Sequence, residues 1–202
     1  MKRFSTLVSY VFHPVNFPLT GSILYFISLP SYLLKVQEYT LLTGIFIGAY
    51  LIPLLFFFLL RRFGVIRHFH LASLEERKFP TLLFITIACM MGHWLHRIGM
   101  VDGLALYFYG YGASLMVIYL LLHLKCKASL HLLAISGLLG FLLCHSLTYR
   151  LNLLLPIALL FSIMGLVARA RLVLGVHNLK ELWIGFLTGI IPQFIAYFFY
   201  SI

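Results

Sequence analysis

The chain has 202 residues, 62% of them hydrophobic and only 10% charged, with a mean hydropathy of +1.03 and a formal net charge of +10. Soluble domains average about 25% charged residues, so the composition excludes a soluble enzyme and leaves one integral membrane domain over residues 1–202, with room for six or seven helices of about 20 residues. It also argues against nucleic acid as a partner: the basic residues sit in short loops between apolar runs, where membrane lipids with anionic headgroups and the positive-inside bias account for them.

In chain order, Met1-Lys2-Arg3 is basic, but His13-Pro14 and Asn16-Phe17-Pro18 interrupt the stretch after it, and no small-x-small cleavage site is apparent. The first helix is therefore expected to anchor the chain rather than to be removed. Seven apolar runs can be marked, at about 19–34, 39–60, 80–100, 103–123, 129–147, 151–168 and 182–201. The first is bracketed by Pro18 and Pro30, and either spans with a kink or lies partly in the interface. Tyr39 to Leu60 carries no charge and is a clear span. The links 99–103 and 148–150 are short enough to demand tight hairpins between antiparallel helices. The pattern predicts an all-α, polytopic membrane bundle.

Several residues receive structural readings. Cys89, Cys126 and Cys144 are an odd number without a CxxC, so no disulfide framework and no metal site is expected. His93, His96 and Arg97, with His123, His145 and the pair His68 and His70, are read as structural or interfacial. Tyr107, Tyr109 and Tyr111, with Phe108, are read as an interfacial aromatic belt, and Gly110 and Gly112 as points of close helix contact.

The polar loops are unevenly distributed. Arg61, Arg62, Arg67, Glu75, Glu76, Arg77 and Lys78 occupy the loop over 61–79. Lys125 and Lys127 precede the fifth run, and Arg169, Arg171 and Lys180 precede the seventh. An even number of crossings separates these loops, so all three emerge on one face. The other face receives only Lys35, Arg97 and Arg150. The parity implies a site assembled between the starts of the third, fifth and seventh runs.

The third loop reads Arg171-Leu-Val-Leu-Gly-Val-His177-Asn-Leu-Lys-Glu181. An arginine grips phosphate oxygens, a histidine attacks or shuttles a proton, and a glutamate steers the imidazole. His177 and Glu181 share a face if helix has already begun. In the second loop, Ser129 suits a helix N-cap that would aim its hydroxyl and amides at an anion, which Lys127 and His131 could also address. In the first loop, Arg77 and Lys78 could each bind phosphate, and Pro80 suits the first turn of a helix.

Ser129-x-His131 followed by Arg171-x5-His177-x3-Glu181 resembles the second and third signatures of the phosphatidic acid phosphatase type 2 (PAP2), haloperoxidase-like superfamily, Pro-Ser-Gly-His and Ser-Arg-x5-His-x3-Asp. The resemblance covers roughly residues 74–190. It implies that His177 is the nucleophile forming a phosphohistidine, Glu181 its orienting acid and His131 the general acid. It further implies that Arg171 and Ser129 hold phosphate, with Lys127, Arg77 and Lys78 as candidates for the remaining charge, and that neither metal nor cofactor is needed. The chain departs from the pattern at Ala128, Leu130 and Ala170, has Glu181 for aspartate, and keeps the first signature, Lys-x6-Arg-Pro, poorly: Ala72 and Phe79 take its charged places.

The expected function is hydrolysis of a lipid phosphate monoester or polyprenyl diphosphate entering laterally from the bilayer, in a bacterial cell membrane. Transfer of the phosphoryl group to another lipid, an inactive lipid-binding relative, and an unrelated transporter are the competing readings. Seven spans with the basic bias put the amino terminus and the three loops in the cytoplasm, whereas the family resemblance favours the outer face, the arrangement that results if the first run does not cross.

Overall fold

The computed structural model describes residues 2–28, 33–64 and 74–200, with backbone only for Glu75. Pro30, Arg67, the pair His68 and His70, and Ala72 lie outside the described residues. The elements are α1 (Lys2–Val11), a 3-10 turn (Pro14–Asn16), α2 (Phe17–Ser28), α3 (Lys35–Ile45), a π-helical turn (Phe46–Leu51), α4 (Ile52–Arg62), α5 (Leu74–Ile98), α6 (Asp102–His123), α7 (Leu130–Tyr149), α8 (Leu154–Val173) and α9 (Leu179–Tyr200). No strand occurs among the described residues. The π turn lies directly before Pro53, whose missing N–H cannot return to a carbonyl one turn back; Ile52 bonds to Ile47 across the widened turn. Helices α3 and α4 thus continue as one apolar stretch, Lys35–Arg62.

Among the described residues, six helices are long and apolar enough to cross a membrane: Lys35–Arg62, Glu76–Ile98, and α6 to α9. The protein is an all-α integral membrane protein. Pro80, expected in a first helical turn, instead lies inside α5, because the helix already begins at Leu74.

Helices α6 and α7 form the interior. α7 packs against α9, α6 against α5 and α9, and α8 lies outside with α1 against it. Lipid supplies no hydrophobic drive between helices, so close backbone approach and hydrogen bonds must hold them. Gly137 and Gly140 of α7 face Gly189, Ile190 and Gln193 of α9. A methyl group added at Gly189 would strike the Ser136 hydroxyl and the Leu133 carbonyl, and one at Gly185 the Ser129 carbonyl. Buried Gln193 donates from Nε2 to the Tyr107 carbonyl at 3.1 Å, and the Tyr107 hydroxyl donates to the Phe17 carbonyl at 2.9 Å.

These contacts correct the reading of an aromatic belt. Tyr107, Phe108 and Tyr111 are buried in the core. Gly110 and Gly112 do admit close neighbours, Gln193 on one side and Cys89 with Ala88 on the other, and that enclosure takes the aromatic rings out of the interface.

The amino-terminal segment lies at the same end of the bundle as the described parts of the three basic loops. Ser9 and His13 meet His131 at the start of α7, whereas Tyr25 meets His145 near its end, ring centroids 5.1 Å apart. Those two α7 positions are about 21 Å apart along the helix. The first run therefore leads from the basic end through most of the bundle depth toward the other.

Gly189→Ala is expected to cost about 1–3 kcal/mol by forcing α9 off α7, read as a lowered thermal midpoint in detergent. Gly165→Ala, where an added methyl meets open space, should leave the midpoint unchanged or raise it.

Candidate active site

The spacing of the Arg171–Glu181 segment is set by two helix ends placed back to back. α8 closes through Gly175 in the left-handed region, φ +67°. The Gly175 N–H donates to the Leu172 carbonyl at 2.9 Å and the Val176 N–H to the Arg171 carbonyl at 3.3 Å. This is a Schellman ending, which needs a residue without a Cβ at the reversing position. The chain turns back beside Arg171 and α9 starts almost at once. Asn178 caps it: its Oδ1 accepts from the Glu181 N–H at 2.9 Å, while its Nδ2 donates to Glu181 Oε1 at 3.3 Å.

His177 therefore precedes the helix rather than belonging to it. The expected contact with Glu181 still forms, because capping by Asn178 aims the carboxylate back along the chain. His177 Nδ1 and Glu181 Oε2 are 2.6 Å apart. A carboxylate accepts, so Nδ1 carries the proton and the Nε2 lone pair is left for reaction. His177 is buried. Burial holds its pKa well below the ordinary imidazole range, Glu181 opposes that shift, and the cations Arg171 and Lys127 add to it. A neutral imidazole with a basic Nε2 is the form a nucleophile requires.

His177 lines a cavity together with His131, Arg171, Arg77, Ser9 and His13. Phe57, Phe84, Tyr111, Leu115, Leu130 and Leu133 supply its apolar wall. Two guanidiniums and three imidazoles thus converge on one space, and no carboxylate lines it among the described residues. Arg171 is itself buried and its Nε has no hydrogen-bond partner among the described residues. An orphaned buried guanidinium N–H beside a cavity calls for an anion. No group of three or more histidine, cysteine or acidic residues suited to a metal ion occurs among the described residues.

The remaining predicted residues are placed differently. Ser129 caps α7, its hydroxyl accepting from the Leu132 N–H at 3.5 Å, and its own N–H donates to the Glu181 carbonyl at 3.1 Å. It is fully buried against Gly185 of α9 and does not line the cavity. The cap was legible, but the direction it faces was not, because α9 closes on it from the far end of the sequence. Lys127 also stands outside the lining: its Nζ donates to the Val176 carbonyl at 2.7 Å and lies 3.9 Å from Glu181 Oε2. It braces the turn that carries His177. Lys78, one residue from Arg77, is half-buried and outside the lining.

The sequence reading missed Ser9 and His13, which lie outside residues 74–190. The His131 Nε2–H donates to the Ser9 carbonyl at 3.1 Å, and the Arg171 Nη1–H donates to the Ser9 hydroxyl at 3.4 Å. The His13 ring stands edge-on to that of His131, centroids 5.8 Å apart. A signal existed in α1: Ser5, Val8 and Ser9 turn inward while Phe4, Leu7, Tyr10 and Val11 turn outward, so its polar serines share the buried face and its larger apolar side chains suit lipid.

No protein-family model, curated protein or solved structure matches the chain.

Ser129→Ala is expected to destabilise the protein by about 1 kcal/mol through the lost cap and to leave anion affinity unchanged, as read by the thermal shift that added phosphate produces.

Proposed function

We propose that the protein is a membrane-embedded lipid phosphatase that hydrolyses a lipid phosphate monoester or polyprenyl diphosphate through a phosphohistidine on His177. The observation that carries this reading is the single cavity in which His177, oriented by Glu181 at 2.6 Å, faces the same space as His131, Arg171 and Arg77. Arg171 and Arg77 neutralise the phosphoryl oxygens. The His177 Nε2 lone pair attacks phosphorus while the P–O bond to the leaving oxygen breaks, an alkoxide in a monoester or a lipid phosphate in a diphosphate. His131, which takes up a proton on Nδ1 with the phosphate anion and keeps its Nε2–H on the Ser9 carbonyl, gives that leaving oxygen the Nδ1 proton. Water then attacks the phosphohistidine, gives up a proton to His131, and releases phosphate. The apolar wall of Phe57, Phe84 and Leu115 suits the first carbons of an amphiphile whose tail remains in lipid.

The signatures around His131 and His177 support assignment to a divergent branch of the phosphatidic acid phosphatase type 2 superfamily. The charge distribution supports a cytoplasmic face for the site in a bacterial cell membrane. Arg61, Arg62, Lys125, Arg169 and Lys180 lie within about a turn of site residues at the end of the bundle that holds the cavity, without lining it, so the basic bias there does not arise from cavity cations alone.

Purified protein is expected to release phosphate from phosphatidate, lysophosphatidate, phosphatidylglycerophosphate or undecaprenyl diphosphate, with His177→Ala reduced by at least ~10³-fold. The acid limb of the pH profile is set by the lowered His177 pKa. The neutral ring is the active form, so turnover is retained above that pKa and lost as pH falls through it, and the acid limb falls below the usual ~6.5. Labelled lipid product without free phosphate would reveal transfer instead, and an inert wild type across the panel would refute the activity.

A further inference from the structure

A serine inside a helix commonly returns its hydroxyl proton to the carbonyl one turn back. Thr6, Ser22 and Thr81 all do so here, at 3.0, 2.8 and 2.7 Å. Ser9 does not. Its oxygen turns to Arg171 Nη1 at 3.4 Å, and its proton has no acceptor among the described residues. The residue is buried from solvent and still lines the cavity. A hydroxyl both accepts and donates. The accepting side of Ser9 is engaged by the guanidinium, which leaves its O–H as a donor at the cavity wall.

The neighbouring groups point to what it meets. Arg171 Nε, on the same guanidinium, is buried without a partner among the described residues. An oxyanion lying along Arg171 would satisfy Nε and come within reach of the Ser9 hydroxyl. The Ser9 backbone is held in place, since its carbonyl accepts the His131 Nε2–H at 3.1 Å and α1 packs along α8. Ser129, the serine that the family resemblance pointed to, faces α9 instead.

We propose that Ser9 is a substrate-binding residue, its hydroxyl donating to an oxygen of the tetrahedral phosphate held by Arg171, so that the amino-terminal helix completes the phosphate site. In its substrate this rests on the phosphatase reading; in its ligand class, a phosphate oxyanion, it stands on the Ser9–Arg171 geometry. A contact made equally before and during reaction affects binding more than turnover.

The test uses the full chain in detergent or nanodiscs. Inorganic phosphate binding is followed by thermal shift, and hydrolysis of a lipid phosphate by phosphate release. Ser9→Ala should weaken phosphate binding and raise KM by about ten- to a hundredfold with a smaller change in kcat, while Ser9→Thr, which keeps the hydroxyl, stays near the wild type. Should Ser9→Ala fold poorly, Ser9→Cys, with a weak donor of similar size, reads the same loss. Unchanged phosphate affinity in Ser9→Ala overturns the proposal. So does tighter binding or faster turnover, which would make Ser9 a plug in the anion's place, and so does a wild type that phosphate does not stabilise. Ser9-dependent phosphate binding in a protein that hydrolyses no lipid phosphate would uphold Ser9 and remove the phosphatase reading. Hydrolysis indifferent to Ser9→Ala would do the opposite.

Discussion

The contact between His177 Nδ1 and Glu181 Oε2 is the interaction on which the site turns. Burial alone would leave a neutral imidazole of undefined tautomer. The carboxylate fixes the proton on Nδ1, exposes the lone pair on Nε2 and holds the ring in one plane. Its geometry depends on a series of backbone devices: the left-handed Gly175 that ends α8, the Asn178 cap that starts α9, and the Lys127 ammonium on the Val176 carbonyl. A part-buried carboxylate–imidazole pair tolerates little misplacement, since a loosened Glu181 leaves the buried His177 N–H unsatisfied in low dielectric. The same turn returns the chain to Arg171, so His177 and Arg171 both reach the cavity from one reversal of direction.

Much of this was legible in the sequence. Composition gave the membrane class, and loop parity placed Arg77, His131 and His177 at one end, where the cavity forms. Parity worked because each crossing between those loops is a complete apolar helix, and short links leave little freedom. The Arg171-x5-His177-x3-Glu181 spacing was read as chemistry. The structure adds that it is also the spacing of two abutting helix ends.

What escaped the sequence is direction within an element and contact between distant ones. Ser129 makes a good cap wherever it points, and only the approach of Gly185, 56 residues later, turns it away from the cavity. Tyr107 and Tyr111 look like interfacial tyrosines until Gly110 and Gly112 are seen to draw Gln193 and Cys89 against the same helix. Ser9 and His13 gave little notice, because a short helix before a proline reads as an anchor. Its link to Arg171 spans 162 residues. The cavity wall therefore depends on a segment that no local pattern tied to phosphate.

The central claim is that His177 carries the phosphoryl group. The direct measurement is rapid acid-free quenching of the purified protein with lipid substrate labelled at the phosphoryl phosphorus, then peptide mapping of the trapped adduct. The account predicts a label on His177 that is stable to base, is lost in acid, and is absent from His177→Ala. A substrate that turns over without labelling the protein, or a label carried by His131 or a carboxylate in its place, would contradict it.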